Sequence, residues 1–164
     1  MPTRTHSIIR AIVITGFIAG TLDAVAAVIN YYIKTGKNPI KIFNYIASAV
    51  FGQEKAYEDG TSMVFAGVLF HYLIAFLFTI VFFVIYPKLK LLSKNLLLSG
   101  LCYGIIIWLV MNKLILPLTN IAKPATPPVF NLGMTLTQIG ILMLFVGLPI
   151  SILTGRYYAY KKQL

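Results

Sequence analysis

Acidic side chains are nearly missing from this chain. Asp23, Glu54, Glu58 and Asp59 are the only four in 164 residues, and charged residues of both signs make up 11%. Soluble domains carry roughly 25%. So few charges exclude a surface that is solvated all round. Cysteine is scarcer still. Cys102 stands alone inside an apolar run, so no disulfide can form within the chain, and it reads as a small packing residue.

Two histidines complete the short inventory of reactive groups. Metal sites need several convergent His, Cys or carboxylate ligands, and no such set has motif spacing here. His71, the one histidine within an apolar run, gives haem no support by itself. G-x-S-x-G, H-E-x-x-H and P-loop patterns are absent, and neither Ser48 nor Ser62 has a base beside it. No catalytic residue, metal or cofactor is therefore assigned, and an enzyme is the weaker expectation.

What is present in excess is apolar and basic. Hydrophobic residues make up 59% of the chain, and fourteen Lys and Arg give a net charge of +10. The mean hydropathy is +0.84. In a soluble protein this charge would suggest nucleic acid. Here the bases flank apolar runs, which is how a membrane protein sets its orientation, so nucleic acid is excluded and the bilayer is the expected partner.

Four apolar runs reach the roughly 20 residues that cross a hydrocarbon core, at about 7–32, 62–86, 95–118 and 132–154. Backbone polar groups in lipid must be satisfied within the segment, so the runs are predicted as helices. The first is too long for a signal-peptide core, is interrupted by Asp23 and lacks a cleavage site, so it is expected to span. Pro87, Pro117, Pro124, Pro127 and Pro128 mark helix ends and an extended third loop. The expected fold is an all-α membrane protein, a single domain built as a bundle of four transmembrane helices.

Orientation follows from the bases. Arg4, Arg10, Lys88, Lys90, Lys94, Arg156, Lys161 and Lys162 fall on one side without an acid among them. Lys34, Lys37, Lys41, Lys55 and Lys123 fall on the other. Eight against five predicts both termini inside. The K-L-K-L-L-S-K stretch at 88–94 is most simply part of that signal, with anionic lipid heads as a further contact.

The loop from 33 to 61 is too long for a turn. Asn38-Pro39 reads as a cap with proline at the first helical position. Ile42, Phe43, Ile46 and Val50 then recur at helical spacing, and Gly52 closes the segment. A short amphipathic helix at 39–51 is predicted in the first extracytoplasmic loop, as a packing lid or as a gate.

Asp23 is the most informative residue. A carboxylate inside a span costs about 3 kcal/mol on insertion scales, so it is expected to face the bundle interior with a partner. Gly16 and Gly20 precede it as a GxxxG pair that lets another helix come close. His71, in the second span, lies at nearly the same depth, and Gly67 sits one turn before it. An Asp–His pair at that level is placed to share a proton and titrate near neutral pH.

Asn112 and Lys113 on the third helix, and Thr135, Thr137 and Gln138 on the fourth, fall in the same half of the bilayer. Lys113 has two readings, snorkelling to the interface or reaching Asp23. The other half offers little polarity beyond Thr15, Thr79 and Ser99. Met111, Met134 and Trp108 read as packing. The whole cluster has a bland reading too, since polar groups in membrane helices commonly serve as interhelical hydrogen-bond glue. Gly100 and Gly104 form another GxxxG. A pore made from so thin a bundle would need a homo-oligomer, and this pair offers it a contact face.

Three stretches carry a family resemblance. They are I-A-S-A-V-F-G-Q-E-K-A-Y-E-D-G-T-S-M-V-F-A-G-V-L-F-H at 46–71, Y-G-I-I-I-W-L-V-M-N-K-L-I-L-P-L at 103–118 and G-F-I-A-G-T-L-D at 16–23. Together they resemble small bacterial inner-membrane proteins of the YagU-like family, a domain of unknown function. Ala49 and Asp59 stand where that pattern has glycine. The resemblance implies a bacterial cytoplasmic membrane and no particular activity. The expectation is a small transport, channel-like or proton-responsive protein using Asp23 and His71. A membrane-assembly protein and a lipid-modifying enzyme are the alternatives.

Overall fold

The computed structural model describes residues 7–58, 60–88, 93–121 and 131–161. The described residues contain helices and no strand. α1 is Ile8–Thr35, α2 Lys41–Phe51, α3 Gln53–Glu58 and α4 Thr61–Ile85. Two interrupted helices follow, α5 over Leu96–Leu118 and α6 over Leu132–Lys161. α1, α4, α5 and α6 are each long and apolar enough to cross a bilayer. The chain is an all-α, multi-pass membrane protein, as expected. Arg4, Asp59, Lys90, Lys123, Pro124, Pro127, Pro128 and Lys162 lie outside the described residues.

Glycines at positive φ set the ends around the first loop. Gly36, at φ 63°, closes α1 by donating its N–H to the carbonyl of Tyr32. Gly52, at φ 82°, closes α2 by donating to Ser48. Both conformations are costly for residues with a side chain. The start of α2 differs from the sequence reading. Asn38, Pro39 and Ile40 carbonyls each accept from the residue three further on, at 3.0–3.2 Å. This tight turn delays the α-helix to Lys41. α3 was not predicted. The buried Asn44 ties it to α2, donating from Nδ2 to the carbonyl of Ala56 at 2.7 Å.

α5 and α6 start on side-chain caps. Asn95 Oδ1 accepts from the Leu98 N–H, and Asn131 Oδ1 from the Met134 N–H. Each helix then loosens into a π segment, Met111–Ile115 in α5 and Leu142–Gly147 in α6. Both segments run up to a proline, Pro117 or Pro149. Proline has no N–H for the carbonyl four residues back and its ring crowds that carbonyl, so the regular ladder cannot continue there. Past Pro149 the helix recovers and runs to Lys161, seven residues beyond the expected 154. Tyr158 holds this last stretch against α4, donating to the Phe83 carbonyl at 3.0 Å and stacking on Tyr86.

Glycines make the helix contacts. On α1, a Cβ at Gly20 would meet the Tyr72 ring, and one at Gly16 would overlap Phe76, both on α4. Gly67 does not face α1. It admits α2, and a Cβ there would overlap the carbonyl of Phe43. Gly100 and Gly104 admit the backbone of α6 at Gly147, Leu148 and Met143. That corrects the expectation of an outward contact face. The groove is filled within the chain, because α6 carries Gly147 opposite and the two backbones meet without side chains between them.

The two ends of the bundle are packed differently. At the end away from α2, Phe82 and Phe83 are fully buried, and Tyr103 donates to the Phe78 carbonyl at 2.6 Å. Two buried hydroxyls here return to backbone carbonyls, Thr79 to Ala75 and Ser151 to Leu96, while Thr154 Oγ1 meets no partner among the described residues. The end beneath α2 is hollow.

Candidate functional site

Five helices present side chains to one cleft of about 580 Å³ beneath α2. The spacing makes the contributions regular. α1 offers Asp23, Ala27, Asn30, Tyr31 and Lys34, and α4 offers Phe70, His71, Ile74, Ala75 and Phe78. These recur at three and four residues, so each set is one helical stripe. α2 roofs the space with Ile42, Tyr45, Ile46, Ala49 and Val50. α5 and α6 close it with Ile107, Trp108, Met111, Asn112, Met134, Gln138 and others. The lining is mainly apolar and aromatic, and both π segments touch it.

Asp23 and His71 face this cleft together, as their matched depth predicted. They interact electrostatically but form no direct hydrogen bond among the described residues. His71 Nε2 lies 2.8 Å from the carbonyl oxygen of Gly20. A carbonyl only accepts, so Nε2 carries a hydrogen and donates it. Nδ1 is left to accept or to take a second proton. Phe43 and Tyr72 hold the imidazole with edge-on ring contacts, centroids 6.4 and 5.6 Å away. Tyr72 is fixed in turn by a 2.8 Å hydrogen bond to Thr21 and by stacking on Phe17. Asp23 is half-buried, and no donor among the described residues reaches its carboxylate.

The remaining predicted residues divide. Asn112 lines the cleft and donates to the Trp108 carbonyl of its own helix at 3.0 Å. Gln138 lines it and accepts from Trp108 Nε1 at 3.4 Å. Trp108 is thus a wall residue with a polar contact. Lys113 is exposed and takes no part in the lining. The reading in which it reaches Asp23 is corrected, because its place on α5 turns it outward. Thr137 bonds to Gly133 within α6 and is also outside the cleft.

Sequence reasoning missed three contributors. Lys34 is the cation that borders the cleft, at the end of the Asp23 stripe. Its spacing from Asp23 carried that signal. Tyr45 follows from the predicted face of α2 in the same way. Asn120 had no local signal. Its N–H donates to Ala49 and its Nδ2 to Val50, both at 2.9 Å, clipping the end of α2 to the end of α5. These are two of the carbonyls that a helix C-terminus leaves without partners.

No group of three metal-ligating side chains occurs among the described residues. No family model, no curated protein and no solved structure matches this chain.

Proposed function

We propose that this chain binds a small solute in the cleft beneath α2 and couples its movement across a bacterial cytoplasmic membrane to protonation of Asp23 and His71. On this reading both termini lie inside, and the cleft belongs to the outer half of the membrane. The observation that carries it is the Asp23 carboxylate, set in a mainly apolar space with room for a ligand and with no donor among the described residues. A residue kept only to glue helices would spend its hydrogen bonds on another helix. Burying a carboxylate without such a bond costs several kcal/mol unless it takes a proton or a counter-charge. That cost is consistent with a group kept for exchange. The YagU-like likeness fits the location and adds nothing to the activity.

A structural reading has one observation in its favour, the His71–Gly20 hydrogen bond that joins α4 to α1. It accounts for Nε2 and leaves Asp23 without a role.

The test is proton movement in vesicles containing the full chain and an internal pH-sensitive dye. Under an imposed pH gradient the wild type should re-equilibrate faster than empty vesicles. Asp23→Asn should abolish the difference and His71→Ala should reduce it. Wild-type vesicles that behave like empty ones would remove the proton-linked reading. Equal flux from both variants, with lowered thermal stability, would leave the structural one.

A further inference from the structure

We propose that the solute is a hydrophobic organic cation, which takes the place of a proton on Asp23; this rests on the cleft being a binding site. Among the described residues Asp23 is the only acid that lines the cleft. A carboxylate in apolar surroundings requires a proton or an opposite charge beside it. The protein supplies neither in full. His71 has committed Nε2 to Gly20. Lys34 is exposed and sits eleven residues along α1, roughly 16 Å away at 1.5 Å per residue. A cation from solution seated against the carboxylate meets this need without a second proton on His71 Nδ1.

The walls decide what kind of cation enters. A small metal ion keeps or replaces its hydration shell with several oxygens, carboxylates foremost, and among the described residues no second acid joins Asp23 in the lining. A cation that carries its own apolar surface gains from the same walls. Phe70, Phe78 and Trp108 add aromatic rings to the lining, and a ring face attracts a cation. The cleft, at about 580 Å³, is within the usual size range of sites for drug-sized organic molecules.

The charge count closes. A protonated Asp23 carboxyl carries no charge. One monovalent cation on ionised Asp23 restores the same total, so one proton leaves as one cation binds. The other titratable or charged groups facing the pair are Tyr31 and Lys34 on α1, Tyr45 on α2 and Tyr72 on α4. Among the described residues α5 and α6 bring none to the cleft.

Trp108 is the chain's single tryptophan and stands in the wall, so its fluorescence reports occupancy. The probes are tetraphenylphosphonium and tetraphenylborate, similar in shape and opposite in charge, added to the full chain in a neutral detergent. The phosphonium should alter the fluorescence saturably and release up to one proton per chain in weak buffer. Its affinity should fall tenfold per pH unit where Asp23 is protonated, and tenfold or more in Asp23→Asn. Should Asp23→Asn not fold, the wild-type pH dependence and proton release decide alone. Tetraphenylborate binding as tightly, or phosphonium binding that ignores pH and releases no proton, would overturn the proposal. So would failure of both probes to bind. The proton flux in vesicles is read without any organic ligand, so each of these results leaves the transport reading to be judged separately.

Discussion

His71 Nε2 donates to the carbonyl of Gly20, three residues before Asp23 on the facing helix. One hydrogen bond thus settles the tautomer of the imidazole and keeps it beside the carboxylate. It needs Gly20 to be small, because a Cβ there would meet Tyr72 and Ala75 and hold the helices apart.

His71→Gln and His71→Ala should separate support from proton handling. Glutamine keeps a donor for Gly20, so its thermal stability in detergent should stay near wild type. Alanine should lose about 1 kcal/mol with the hydrogen bond. Both should lower the vesicle flux, since neither side chain offers the imidazole Nδ1. A glutamine variant as unstable as alanine would mean the Gly20 bond contributes little.

Gly67→Val should loosen the lid. The added side chain meets the Phe43 backbone, which cannot step aside as a flexible side chain would. Overpacking of this kind costs about 1–3 kcal/mol. Amide exchange should speed up across α2 and stay slow in the middle of α4. Unchanged exchange in α2 would show that the two backbones are not in contact.

Asn120→Ala removes the Nδ2 donor to Val50 and leaves the N–H to Ala49. Losing one such hydrogen bond costs about 1 kcal/mol, or roughly fivefold in local opening. Exchange of the amides near the end of α2 should rise by about that factor, with the first turns of α2 unaffected.

Gly100→Leu and Gly104→Leu should destabilise the monomer without changing its association. The side chains would enter the space of Gly147, Leu148 and Met143 in α6. Thermal unfolding in detergent should show a loss of about 1–3 kcal/mol or more. Light scattering should give the same oligomeric state as the wild type. A shift in oligomeric state at unchanged stability would restore these glycines to an intermolecular role.

Partial burial pushes the Tyr45 phenol above its ordinary value of 10.0. Its neutral form is favoured when folded, so its contribution to stability is complete below the unfolded value and is lost as pH rises through the higher folded one. α2 should therefore loosen only in strong alkali, followed by phenolate absorbance and amide exchange. Tyr45→Phe should remove that part of the alkaline loss.

The spans were legible because lipid imposes a length and a composition on any crossing segment. The level of Asp23 and His71 could be read for a related reason, since each residue of a helix rises by a fixed distance from a recognisable end. The partner of Gly67 could not be. Its small-residue signal states that a backbone comes close and not which one, and α2 arrives from a different part of the chain. Gly100 and Gly104 failed for the same reason. Pro149 was a readable signal for the break in α6 that the sequence reading passed over.

By itself the sequence determined an all-α protein with four membrane-length helices and an amphipathic helix after the first. Periodicity and hydrophobic length are local properties, and they need no knowledge of neighbours. Only the tertiary structure decided that the space beneath α2 is hollow, that His71 turns to Gly20 while Asp23 meets no donor among the described residues, and that Lys113 stays outside where Lys34 borders the cleft. Those outcomes depend on which glycine receives which backbone, and hence on contacts between residues far apart in the chain.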